Sequence, residues 1–168
     1  MGTAARNAKI LTGGAGFLDC SQFARLQDVP TAAVDRSQGD IHPGGNPHYL
    51  YDPRQAAACA TGIASKLVAL DGANAALYRG NLKTFLAKLD KARVGWEKQM
   101  APHKGKPVVT FHKSWGYVIS WFGLVEVANL EPKPGIPPTP RHVVDVLKIA
   151  RAKGAKVVLQ EAYYPDKT

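Results

Sequence analysis

Between residues 73 and 100 the apolar positions fall at Leu82, Phe85, Leu89, Ala92 and Trp96, in alternating steps of three and four. That period draws one stripe on a helix, so the spacing predicts a helix from about Ala73 to Met100 with the stripe as core. At about 1.5 Å per residue it is about 40 Å long, enough to run the length of a small two-lobed protein. Before it, a helix from Pro53 to about Leu70 is expected, with Asp52 at the N-cap and Pro53 at the first helical position. Asp71-Gly72-Ala73-Asn74 separates the two helices, and Pro102, Gly105 and Pro107 end the second.

The period changes after residue 107. Val108-Val109-Thr110-Phe111 reads as a buried strand, and Ser114 as the cap of a helix through about Phe122, with Gly123 at its C-terminal turn. Val125-Glu126-Val127 is a second strand. Thr139 caps a helix that opens with Pro140 and closes at Gly154. Lys156-Val157-Val158-Leu159-Gln160 is a third strand. Strand, helix, strand, helix, strand is the order of a parallel α/β layer, in which ligands bind beyond the carboxyl ends of the strands. Near the N-terminus, Ala8-Lys9-Ile10-Leu11-Thr12 reads as a short strand running into Gly13-Gly14-Ala15-Gly16. That glycine turn lacks the Lys-Ser/Thr of a phosphate loop, because Phe17-Leu18 stands there. Residues 30 to 52, rich in Pro, Gly, Asp and Asn, read as loop.

Composition narrows the classes. The chain has 168 residues, enough for one large domain or two small lobes, and no apolar run long enough for a membrane-spanning helix. No signal peptide is evident at Met1-Gly2-Thr3, so the chain is read as cytoplasmic, or as a mature or truncated form of an exported protein. Lys and Arg total 22 against 13 Asp and Glu, a formal charge of +9. The basic residues are spread over helical faces without a run of four, which argues against nucleic-acid binding. Cys20 and Cys59 do not have metal-site spacing; Cys59, in Ala56-Ala57-Ala58-Cys59-Ala60, reads as a small buried apolar residue, and a Cys20–Cys59 disulfide is open in an oxidising compartment.

The candidate chemistry lies in histidines and one carboxylate. His48 is held on a short rigid loop, after Pro47 and before Asp52-Pro53. His112 follows the Val108 strand and so stands at a cleft floor; taken alone, His48 reads first as a surface histidine in a polar loop, and His112 equally as a hydrogen-bonded interior histidine or a ligand. Lys113 would oppose a cation there unless it points away. Glu161 directly follows the last strand, as a metal ligand, an acceptor orienting a histidine, or a general base. His42, six positions before His48, is a further donor on the polar loop. His103 and His142 read as surface or capping residues.

Together these segments carry a resemblance. Asn46-Pro47-His48-Tyr49-Leu50-Tyr51-Asp52-Pro53 resembles the NPHxWxDP element of zinc- and manganese-binding solute-binding proteins of metal-importing ABC transporters, the periplasmic metal-binding lipoprotein and adhesin family. Val109-Thr110-Phe111-His112-Lys113-Ser114-Trp115-Gly116-Tyr117 resembles that family's second histidine element. Leu130-Glu131-Pro132-Lys133-Pro134-Gly135-Ile136-Pro137-Pro138-Thr139-Pro140 is similar to the proline-rich loop of its zinc-binding branch. The resemblance runs from Asn7 onward, with the long helix between the two histidine elements.

The resemblance implies an α/β protein of two Rossmann-like lobes joined by a long helix, here with incomplete lobes. Residues 1–72 would be the remainder of the N-terminal lobe with the metal loop, 73–101 the inter-lobe helix and 102–168 an incomplete C-terminal α/β lobe. It implies extracytoplasmic capture of a divalent transition metal, Zn2+ with Mn2+ as the alternative, for delivery to the membrane permease of an ABC importer by a monomer in the periplasm. His48 and His112 match the family's ligands; Glu161 matches a glutamate near the cleft. The family's earlier histidine and late acidic ligand have no counterpart here, which is the expectation for a truncated form. Two rivals remain, a metal-dependent hydrolase and a metal-free, adhesin-like interaction module. The HExxH pairing of a zinc hydrolase is absent, and the chain is not read as an enzyme.

Overall fold

The computed structural model describes residues 7–35, 39 and 41–164. The chain forms two compact units, one of residues 1–25 and 53–95, the other of residues 26–52 and 96–168. Residues 26–52, which include His42 and His48, fall in the same unit as the C-terminal residues.

In the first unit, α1 (Pro53–Leu70) and α2 (Ala75–Met100) are joined by a 3-10 turn over Gly72–Asn74. Asp71 closes that turn by accepting hydrogen bonds from Asn74 Nδ2 at 2.8 Å and Tyr78 Oη at 2.7 Å. The α2 helix is continuous for 26 residues, its last turn being counted with the second unit. Its expected stripe is not a core: within the described residues no α2 side chain is buried, and Phe85 and Trp96 remain 45% and 44% exposed. The side chains of Ile63, Leu67, Leu82 and Phe85 line an open groove between α1 and α2, so the two helices cover each other only partly.

The strand expected over Ala8–Thr12 is a 3-10 turn over Ala8–Ile10. Its backbone is satisfied locally instead of in a ladder: Asn7 Oδ1 accepts from the Lys9 N–H, and the Gly16 N–H donates to the Lys9 carbonyl. With the glycine turn folding straight back on it and Ile10 half exposed, the segment has, among the described residues, neither a neighbour strand nor a buried face.

The second unit is the α/β layer. Strands β1 (Pro107–Thr110), β2 (Val125–Asn129) and β3 (Val158–Leu159) form a parallel sheet in the order β2-β1-β3, with a register irregularity between Val108 and Val109 of β1. The third strand is shorter than its apolar run because only Val158 and Leu159 pair with β1. Helix α3 (Gly116–Phe122) crosses from β1 to β2, and α4 (Pro140–Lys153) from β2 to β3. As expected, Thr139 caps α4 by accepting from the His142 N–H, and Gly123 and Gly154 take the left-handed conformation that ends α3 and α4.

The core gathers Val109, Phe111 and Leu130 from the sheet with Val146 and Ala150 from α4, edged by Val127, Val143 and Tyr164. Val143, Val146 and Ala150 repeat at three and four, so one face of α4 is covered while Val144, Leu147 and Ile149 stay exposed. The last turn of α2 reaches α3 through Trp121, whose Nε1–H donates to Glu97 Oε1 at 2.9 Å and whose ring stands edge-on to Trp96.

Candidate metal-binding site

Three parallel strands release three polar residues on one edge of the second unit. Beyond β1 stands His112, beyond β2 Glu131, beyond β3 Glu161. The ladder continues past the strand ends: the Phe111 N–H donates to the Leu159 carbonyl at 2.9 Å, and the Glu131 N–H to the Phe111 carbonyl at 3.0 Å. Because β1 is central, His112 is flanked by a carboxylate-bearing tip on either side.

The fourth contributor comes from the loop. His48 precedes a 3-10 turn over Tyr49–Tyr51 that packs on α3, and its ring lies edge-on to that of His112 with centroids 5.4 Å apart. Asn46 sets this approach. It is buried, its Nδ2 donates to the Lys113 carbonyl at 2.9 Å and to Asp28 Oδ2 at 3.1 Å, and its Oδ1 accepts from the His48 N–H at 3.0 Å. The same side chain therefore grips the backbone beside both histidines. Tyr117, almost fully buried, secures the loop from below: its hydroxyl donates to the Asn46 carbonyl at 2.8 Å and accepts from the Gln27 N–H at 2.9 Å.

The electrostatics follow from burial and neighbours. Desolvation holds the His48 imidazole below its ordinary pKa, assisted by the His112 and His42 rings and opposed by the Glu161 carboxylate. Neutral imidazole is the form that binds metal. His112 Nδ1 lies 2.6 Å from Glu131 Oε2, and a carboxylate can only accept, so Nδ1 is the donor and the neutral ring has its lone pair on Nε2. Glu131 also accepts from the Gly135 N–H at 3.1 Å, which holds the carboxylate in place. Tyr164, against the Phe111 ring, has its phenol pushed up to about 12, first by burial and then by the Glu131 carboxylate, and stays neutral.

Glu161 is buried, and one of its oxygens accepts a hydrogen bond from the Ser114 hydroxyl. Its other oxygen, Oε2, is buried without a hydrogen-bond partner among the described residues. A buried carboxylate oxygen in that condition fits a cationic ligand. The Ser114 hydroxyl is therefore committed to Glu161 and does not cap a helix as expected from its position; a 3-10 turn over Lys113–Trp115 leads into α3 without a side-chain cap. Lys113 turns its ammonium to Glu126, 3.8 Å away, and so does not oppose a cation between the histidines.

His42 joins His48 and His112 in lining a cavity of about 340 Å³ and an adjoining one of about 520 Å³. His103 and His142 lie elsewhere, on the Lys106 ammonium and the Asn129 carbonyl. Among the described residues no three His, Cys, Asp or Glu side chains form a ready-made metal cluster. What stands together is a histidine pair with a carboxylate behind one ring and a half-satisfied buried carboxylate nearby.

Glu131 was not among the residues expected to act here. It reads as part of a stiff proline-rich loop, and the signal that could have found it is the one that finds His112 and Glu161: it too stands two residues beyond the end of a parallel strand.

The family described as zinc-uptake complex component A, periplasmic (ZnuA), matches residues 5–168. The high-affinity zinc uptake system protein ZnuA of Brucella abortus is 27% identical over 120 residues, covering 71% of this chain and 36% of that protein. The chain thus spans little more than a third of the curated relatives it matches. A ZnuA crystal structure shares the fold with TM-score 0.67 and 26% identity over 80% of this chain and 54% of that one. The solute-binding protein FpvC of Pseudomonas aeruginosa, in complex with Ni2+, does so with TM-score 0.64 and 25% identity over 79% and 50%. The chain belongs to the ZnuA family of periplasmic zinc-uptake components.

Proposed function

We propose that this chain captures a divalent transition metal outside the cytoplasm, zinc before manganese, for delivery to the membrane permease of an ABC importer. The observation that carries the reading is the edge-on approach of His48 and His112, one ring backed by Glu131, with Glu161 Oε2, unpartnered among the described residues, near enough to act on His48 electrostatically. Two imidazoles are borderline donors that suit zinc, and a carboxylate adds charge. Family membership supports zinc, while the Ni2+-bound and Mn2+-bound FpvC structures mark other ions within reach of the fold.

Calorimetric titration with zinc tests it: saturable binding of one ion per chain without turnover is expected. Metal-dependent hydrolysis would favour a hydrolase, and no saturable binding a metal-free interaction module; either would overturn the reading.

Acid should weaken the complex. Since its folded pKa is lowered, His48 takes up its proton less readily when folded than when unfolded, so proton uptake by the unfolded chain opposes folding as pH falls below about 6.5. Zinc must also displace protons from both rings at low pH. Affinity is therefore expected to be nearly flat from pH 7 to 8 and to fall steeply below about 6.5; titrations across that span check the slope. Glu131→Ala, which frees His112 to rotate and to change tautomer, should reduce zinc affinity about 10-fold to 100-fold while leaving one site per chain. An unchanged affinity would remove Glu131 from the site.

A further inference from the structure

We propose that Cys20 and Cys59 form a disulfide that closes the neck of the segment carrying His48. Both cysteines are free in this structure, and the Cys59 thiol contacts the Cys20 backbone within the first unit. Asp19 starts the 3-10 turn Cys20–Phe23, accepting from the Ser21 N–H at 2.9 Å and the Ser21 hydroxyl at 2.7 Å. That turn lies along α1 in matched steps of three. Cys59 Sγ reaches the Cys20 carbonyl at 3.4 Å, and one step along both elements the Phe23 ring occupies the space a Cβ at Gly62 would need. A third tie, the Arg25 N–H to Gln55 Oε1 at 2.9 Å, holds the end of the same stretch. Two of these contacts, the Phe23 ring on Gly62 and the Arg25 N–H on Gln55, involve neither thiol and hold the turn against the helix whatever the thiols do.

Cys20 is partly exposed and Cys59 buried. Burial, with the Cys20 thiol beside it, raises the Cys59 pKa, so Cys20 is the thiol that meets an oxidant first. A disulfide oxidant, protein or glutathione, exchanges with the Cys20 thiolate and releases one thiol; Cys59, deprotonated, then attacks the Cys20 sulfur of the mixed disulfide and releases the second. Two protein thiols become one disulfide as the oxidant's disulfide becomes two thiols. The setting rests on the extracytoplasmic reading above, since such bonds persist in the bacterial periplasm.

The bond would join residues 39 apart, and residues 26–52, with His42 and His48, all lie inside that loop. A closure of this length restricts the unfolded chain and should raise the melting temperature by about 10 °C.

The test is equilibration of the purified chain with oxidised glutathione in the presence of a chelator, then thiol titration in denaturant and peptide mapping without reductant. Support is the loss of both titratable thiols, a Cys20–Cys59 linked peptide and a melting temperature that falls by about 10 °C on reduction. Cys20→Ser and Cys59→Ser should melt near the reduced wild type and show no reductant effect. Two thiols remaining, a glutathione adduct held on Cys20 alone, or linkage only between chains would overturn the proposal. Because the mapping is metal-free, such a failure leaves the metal reading standing, and a chain that binds no zinc can still show the bridge.

Discussion

Replacing either His48 or His112 with alanine is expected to lower zinc affinity by about 100-fold or more, beyond what loss of a residue behind a ligand costs. The rings approach each other edge-on at 5.4 Å, so both can address one ion, and removal of one leaves a single imidazole to compete with water. Neither substitution should unfold the chain: both rings are partly exposed, and the loop is held by Asn46 and Tyr117, not by the imidazoles. Calorimetry on the two variants, with circular dichroism to verify folding, decides the matter. If one variant binds as the wild type does, zinc sits elsewhere, with the exposed His103 the first place to look.

Asn46→Ala is expected to be the most damaging single change to the loop. It deletes bonds to the Lys113 carbonyl, the Asp28 carboxylate and the His48 N–H at a buried position. At about 1 kcal/mol for each bond the loss is about 3 kcal/mol, with a carbonyl and an amide left short of partners. For a chain of this size that lowers the melting temperature by about 6 to 12 °C. Zinc affinity should also fall, by about 10-fold, because His48 must then be ordered by the ion itself. A variant melting within a degree or two of the wild type would show that water replaces these bonds and that the asparagine does not set the loop.

How much of this is visible in the sequence depends on whether the cause is local. The Pro53–Leu70 helix, the Thr139-Pro140 start of α4 and the glycine ends of α3 and α4 are fixed by neighbouring residues, and the expected bounds agree with the structure. The failures are long-range. Ser114 carries a capping residue's chemistry, but a carboxylate 47 positions away takes its hydroxyl. The Ala8 segment has a strand's composition and, among the described residues, no strand to pair with. The α2 stripe has the right period, yet burial depends on a facing surface that the described residues supply only in part. His48 and His112 stand out through their motifs, while the prolines that dominate its segment distract from Glu131, whose place beyond a strand is the one local cue; its pairing with His112, 19 positions upstream, is visible only in the fold.

The strand tips have a further implication for how such a site can change. Adjacent strands stand about 4.8 Å apart, so the ladder spaces the Cα atoms of the residues beyond β2, β1 and β3 whatever side chains they bear. Donor identity and donor position are thereby separable. On the proposed reading, exchanging Glu161 for histidine would alter the softness and charge offered to an ion, and exchanging Glu131 would alter what backs the His112 ring, while the scaffold that spaces these residues stays as it is. If the proposed site holds, the sheet edge is a socket with interchangeable pins, and preference among metals would shift through single substitutions at its tips.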